Sequence, residues 1–391
     1  MPLFRKPLSE ITEADLQALI ANQVPEGRTL DYKRDTVGRS DSNKKEFLAD
    51  VSSFANAAGG HLVFGMDEAG GLPTALPGLA GLDADAEIRR LDELIRDGLD
   101  PTLLGIELRA VPLADGAAAL VIRIPKSWNP PHQVTYQKTF RFYGRGAAGK
   151  HPLDVTTVRD LVLLSADVAE RVRRFRIERV AQIVADETPV PLKNGARLIV
   201  HLVPLSAFGA GNRADLSSDH DLPLIPMIGI AGRIRYNVDG LLGYRMLDER
   251  TSDAYVQLFH NGALEVVHHI QESSPYGRPI LPMLSFMQEL THAVTHGKTT
   301  LRRVGLSTPV VMALTLTGMQ NWILGTSHSG RLSEVRAFDR NPLFVPDALL
   351  TGFDGTAEAD LHDLVDSVWQ AAGWPRCPDY DADGQWIGQW R

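Results

Sequence analysis

The chain has 391 residues, 44% of them apolar and 23% charged, with a formal charge of −8. That length supports two domains with cores of their own, and no apolar run approaches the roughly 18 residues of a membrane span. The single cysteine, Cys377, excludes an internal disulfide framework and a multi-cysteine zinc site. The N-terminal MPLFRKPLSE lacks the apolar stretch of a secretory signal, so the protein is expected in the cytoplasm.

The charge is unevenly spread. Through Val180 there are 24 Lys and Arg against 25 Asp and Glu, and beyond it 16 against 23. A nucleic-acid surface is therefore expected on the N-terminal part only.

Thr12 is read as the N-cap of a short helix with Leu16, Leu19 and Ile20 on one face. An extended segment follows, with Glu26 and Asp31 five residues apart and Lys33 just beyond. Phe47, Val51, Phe54 and Ala55 recur at helical spacing, which predicts a helix over about 43–56, stopped by Gly59-Gly60. Asn56, in its last turn, is expected to cap it. A short apolar strand, His61 to Met66, then runs into Asp67. Carboxylates at the ends of neighbouring elements, with a lysine nearby, are what metal-assisted phosphodiester chemistry needs. Acidic residues at turns are also common as plain solvated ends.

A helix is expected near 85–98, then two strands, 105–111 and 118–124, joined as a hairpin, a loop at Trp128–His132, and a strand over 138–143. Gly144–His151, GRGAAGKH, falls one residue short of a phosphate-binding loop. Its missing hydroxyl and the following Pro152 argue against an ATP site. Arg141, Arg145 and Lys150 there are available to RNA phosphates, or simply solvated. Helices over 154–164 and 168–184 follow. The second carries Arg171, Arg173, Arg174, Arg176 and Arg179, read as a solvated face paired with Glu170 or Glu178.

The segment 186–191 reads as a linker, which divides the chain into domains 1–185 and 186–391. Beyond it, strands are expected at 197–205, 232–237, 241–246, 255–258 and 263–268, with a hairpin turn at Asn261-Gly262. Gly209–Pro226 lacks any period and reads as a loop. A helix over 282–297, a strand over 309–317 and a helix over 358–372 complete a second α+β domain. His292 and His296 stand at i and i+4, one turn after Glu289, but no further metal ligand can be named.

The succession E-x-x-x-x-D-x-K from Glu26, SSFANAAGG, HLVFGMDEAGG, PPHQVTY and FRFYGRGAAGKHPLDV resembles the AlbA-like domain of the Schlafen superfamily, over roughly residues 12–164. The resemblance implies an α+β domain acting as a metal-dependent endoribonuclease on structured RNA (tRNA or rRNA), with an anti-phage role. It places Mg²⁺ or Mn²⁺ on Glu26, Asp31 and Asp67, the catalytic acids, with Lys33 at the phosphate. Where the family usually has Glu, this chain has Asp31, one methylene shorter. Neutralising Asp31 is then expected to abolish activity and leave stability unchanged or raised, by relieving repulsion among the three acids. Because the family builds its groove from two such lobes and one is visible here, a homodimer is expected. A non-catalytic nucleic-acid-binding regulator and a nucleotide-binding module are the competing readings.

Overall fold

The computed structural model describes residues 6–147, 149–208, 214, 216, 222–225, 232–272, 277–325 and 337–388. Most of the Gly209–Pro226 segment therefore lies outside the described residues. Two compact units emerge, Met1–Ala169 and Glu170–Arg391, and both mix helices with sheets, an α+β fold. Among the described residues no helix is long and apolar enough to cross a membrane.

The first unit opens on the helix Glu13–Ala21, where Thr12 and Asp15 form a capping box, the Asp15 carboxylate accepting from both the Thr12 N–H and its hydroxyl. Its strands are β1 Leu30–Lys33, β2 Gly60–Phe64, β3 Asp67–Ala69, β4 Leu72–Ala75, β5 Leu99–Asp100, β6 Glu107–Pro112, β7 Ala118–Ile124, β8 Gln133–Val134, β9 Arg141–Gly146 and β10 Gly149–Pro152. One sheet has the order β1-β2-β7-β6 with β1 parallel to β2, and a second has the order β10-β9-β8-β5.

The helices Asp41–Ala55 and Ala84–Gly98 cover one face of the first sheet, packing Phe47, Leu48, Phe54, Leu91 and Ile95 against Leu62, Phe64 and Ile122. The other face buries Leu16, Leu19, Leu30, Tyr32, Val63 and Val121. Strand alternation follows directly: Leu30 and Tyr32 go to this second face, so Asp31 must point to the first, toward the helix Asp41–Ala55.

GRGAAGKH forms a hairpin rather than a loose loop, with Gly146 paired to Gly149 and Arg145 to Lys150. Lys150 lies in a strand, and no helix starts there to cradle a phosphate. Asn56 is the C-cap of the helix Asp41–Ala55, as expected, its N–H donating to Ser52 O at 2.9 Å. Its side chain also donates to His132 O (3.0 Å) and Tyr143 O (2.9 Å) and accepts from His132 N (2.7 Å). It thereby clamps the second sheet to the end of the helix.

The two helices expected over 154–184 are one, Val155–Val184. The second unit's strands are β11 Ala196–Pro204, β12 Arg233–Asn237, β13 Gly240–Met246, β14 Ser252–Phe259, β15 Leu264–Ile270, β16 Ile280–Pro282, β17 Val310–Thr317, β18 Ile323–Gly325, β19 Leu343–Phe344 and β20 Ala348–Leu350. Its main sheet is antiparallel, in the order β12-β13-β14-β15-β11-β17-β19, with β20 also on β17. Asn261-Gly262 turns the β14–β15 hairpin as the sequence suggests.

One face of this sheet packs the helix Met283–Arg303 and Leu364, Val368 and Trp369 of the helix His362–Ala371. The opposite face holds Val172, Val180 and Ile183 of the helix Val155–Val184. Two of that helix's arginines are therefore not solvated. Arg176 reaches Leu314 O, Val345 O and Thr315, and Arg179 makes two bonds to Glu265, which also binds His201 and Tyr255.

Candidate nucleic-acid site

The candidate site forms where β1, the helix Asp41–Ala55 and the β9–β10 hairpin meet. Glu46, Asp50 and Phe54 recur every four residues and so share one helix face. Arg145 and Lys150 stand directly opposite each other in the hairpin. Like charges in that position repel, and Asp50 lies against both: its Oδ1 is 2.8 Å from Lys150 Nζ and 3.6 Å from Arg145 Nη1. Lys150 also pairs with Glu46. Burial raises the Asp50 carboxyl above its usual range, and Lys150 and Lys33 only partly offset this.

Asp31 is 5% exposed and doubly engaged. Its Oδ1 accepts from Lys33 Nζ at 2.7 Å and its Oδ2 from Arg145 Nη2 at 2.6 Å. Burial pushes its carboxyl up, but Lys33 and Arg145 outweigh that and hold it below the ordinary range. Arg145 is fixed further by Gly27 O at 3.0 Å and sits over Phe54, its Cζ 4.0 Å from the ring centre.

Glu26 is half-buried, and its Oε1 accepts from the Tyr32 N–H at 2.7 Å. Burial raises this carboxyl more than the Tyr32 N–H lowers it, and the adjacent Asp31 carboxylate adds to the rise. Asp67 begins β3, where Arg34 Nη1 donates to its Oδ2 at 2.6 Å.

The structure thus brings Glu26, Asp31 and Lys33 together and sets Asp67 beside Arg34. Of the three cations expected to meet RNA, Arg145 is buried and turned inward, Lys150 is tied to Asp50 and Glu46, and Arg141 is exposed. Sequence reading missed Asp50, Glu46 and Arg34. The available signal for Asp50 was an acid lying between Phe47, Val51 and Phe54 on the buried stripe.

A hard divalent ion needs several oxygen ligands gathered around it. Among the described residues no three His, Cys, Asp or Glu side chains are grouped to hold one. Both Asp31 oxygens are occupied by cations, and Asp67 faces Arg34. As they stand, Glu26, Asp31 and Asp67 do not make the three-acid ion site that the resemblance implies. The His292 and His296 rings lie 4.2 Å apart between centres, tilted by 50°, and His292 Nε2 lies 3.2 Å from Ile225 O.

Residues 26–154 match the family model described as Schlafen, AlbA_2. No curated protein matches the chain. Among solved structures, the DIP2311 protein of Corynebacterium diphtheriae aligns at 17% identity with a TM-score of 0.25, over 36% of this chain and 26% of that one. The N-terminal domain of a RecG-related protein from Nitrosomonas europaea aligns at 24% identity with a TM-score of 0.24, over 30% of this chain and 74% of that one. This chain thus spans about a quarter of the first of these proteins. Residues 26–154, which contain the whole acidic and basic cluster around Asp31, are thus similar to the Schlafen AlbA_2 family, a likeness that points to nucleic-acid binding.

Proposed function

We propose that the first unit binds structured RNA, tRNA foremost, through its phosphate backbone at a rim made by Lys33 and Arg34. One observation carries this reading. These side chains are 40% and 53% exposed, yet each is held beside an acid, Asp31 and Asp67. Positive charge is positioned at the surface and internally balanced until a phosphate competes for it. The Arg34–Asp67 pair is exposed on both sides and so weak, about 0–1 kcal/mol, and the buried Asp31 keeps Arg145 when Lys33 turns to a phosphate. Arg141, exposed on β9, extends the same chemistry.

The test is RNA binding against salt concentration. Removing one cation that meets a phosphate flattens the plot of log affinity against log salt by about 0.7–0.9 in slope. Lys33→Ala combined with Arg34→Ala should flatten it by nearly twice that amount. An unchanged slope and affinity in that double variant would refute the reading.

A second reading, a metal-dependent endoribonuclease using Mg²⁺ or Mn²⁺, is supported by the Glu26–Asp31 carboxylate pair. It requires Asp31 to give up Lys33 and Arg145, and an anti-phage role would follow from it. Pure protein is incubated with bulk tRNA plus Mn²⁺ or a chelator. Discrete fragments that depend on both the ion and Glu26 support this reading, and intact tRNA that is nonetheless bound leaves the binding reading alone. A homodimer is part of the proposal, as the source of a second lobe. Sedimentation of the free protein and the RNA complex tests it.

A further inference from the structure

The connection from β8 to β9, residues 135–140, bends through backbone conformations that its residues do not favour. Gln137, Lys138 and Phe140 all lie in the left-handed region, with φ of 51°, 56° and 48°. None is glycine, and a Cβ in that region crowds the following carbonyl. Strain of this kind persists only where surrounding contacts impose it, and it gathers at ligand-binding positions.

The imposing contacts are present. The Thr139 hydroxyl donates to Tyr136 O at 2.7 Å, and the Lys138 N–H donates to Thr135 O at 3.1 Å. Tyr136 is anchored in turn to the start of the helix Asp41–Ala55. Its hydroxyl donates to Asp41 Oδ1 at 2.8 Å and accepts from Lys44 Nζ at 3.3 Å. The pairing of Val134 with Arg141 closes the connection at its base.

What this turn presents is Phe140. Its side chain is 60% exposed, and among the described residues of the first unit no other aromatic side chain stands exposed. Folding gains little from a ring left in water, and glycine would make the same turn with less strain. Lys138 stands two residues before it and Arg141 directly after, both exposed. A ring between two exposed cations suits a partner that is flat and anionic at once, a base on its phosphate backbone. One ring is a small apolar face for a lipid surface but a complete partner for one base. Bases inside a duplex are covered by their stacked neighbours, so only a base outside the stack can offer its face. We propose that Phe140 stacks on an unpaired base, so that the RNA held by the first unit is single-stranded at that point, in a loop, bulge or end. This rests on the RNA reading given above for Lys33, Arg34 and Arg141, and adds to it the requirement for an unstacked nucleotide.

The test is fluorescence anisotropy of the full chain with two labelled RNAs of equal phosphate count, a hairpin with an open loop and a blunt duplex. The hairpin should bind about fivefold or more tightly than the duplex. Phe140→Ala should remove that preference and leave the salt slope unchanged, because no phosphate contact is lost. Phe140→Trp should keep the preference, and Phe140→Leu, apolar but not aromatic, should lose it. Phe140→Gly relieves the left-handed position, so its melting temperature should rise while the preference disappears, a pairing that a merely structural ring would not give. Salt-dependent binding of both RNAs that is indifferent to Phe140 overturns the stacking and leaves the phosphate rim standing. If the wild type binds neither RNA, both readings fall. Phe140-dependent binding to phosphatidylserine vesicles, with no effect on RNA, also overturns the proposal.

Discussion

Replacing Asp31 with Asn tests the central ion pair of the first unit. The change keeps the shape of the side chain and removes the charge that faces Arg145, whose side chain is only 4% exposed. Removing one partner of a buried pair costs about 3–5 kcal/mol, because the other charge stays buried and uncompensated. Asp50, 3.6 Å from Arg145 Nη1, remains as partial compensation, which puts the loss at the lower end, about 3 kcal/mol. Lys33 is 40% exposed and returns to solvent at little cost. For a unit of this size each kcal/mol moves the melting temperature by about 2–4 °C, so a drop of about 6–12 °C is expected in calorimetry. This reverses the expectation from sequence that relieved repulsion would leave stability unchanged or raised. Arg145→Met added to Asp31→Asn should recover part of the loss, since the stranded cation is then gone. A loss below about 1 kcal/mol, or a double variant no better than the sum of the singles, would sink the reasoning.

The Asp31 carboxyl sits below its ordinary range when folded, so its contribution is complete above about pH 4 and fades as pH falls through the folded value. NMR titration should find Glu26 titrating above Asp31, and the reverse order would contradict the geometry. Lys150→Ala should lower stability by stranding Asp50 while leaving ATP affinity negligible. Tight, Lys150-dependent ATP binding in isothermal titration would contradict the hairpin assignment. In the second unit, Glu265 is fully buried, and its carboxyl, raised by burial but lowered further by Arg179 and His201, is held at about 2. Glu265→Gln should cost about 3–5 kcal/mol at pH 7, and the gap from wild type should close as pH falls from about 4 toward 2. Gly60→Ala should destabilise by about 1–3 kcal/mol or more, because a Cβ there meets Thr29 O at 2.5 Å and the Phe54 ring at 2.6 Å. A melt unchanged from wild type would show that the ring can move aside.

Local pattern carried much of the architecture. The helix Asp41–Ala55 is legible because Phe47, Val51 and Phe54 repeat at its period, and the β14–β15 hairpin because Asn-Gly stands between two apolar runs. Glu26, Asp31 and Lys33 could be named together because they are neighbours in one extended segment. Their partners could not, since Arg145 lies 114 residues from Asp31 and nothing local marks the pairing. Arginine usually reads as surface, so the inward turn of Arg176 and Arg179 left no trace until β17 and Glu265 were placed beside them.

The Arg179–Glu265 pair decides where this chain can be cut. A fragment beginning at residue 186 follows the apparent linker, but it discards the arginine that neutralises a fully buried glutamate at the centre of the sheet. It also uncovers Ile199, Leu242, Tyr255 and Val267, which Val180 and Ile183 otherwise keep dry. Such a piece would leave the Glu265 carboxylate to His201 and Tyr255 alone, beside a bare apolar strip, a recipe for aggregation. A fragment started at Glu170 keeps both the cation and the cover, and is the one to express.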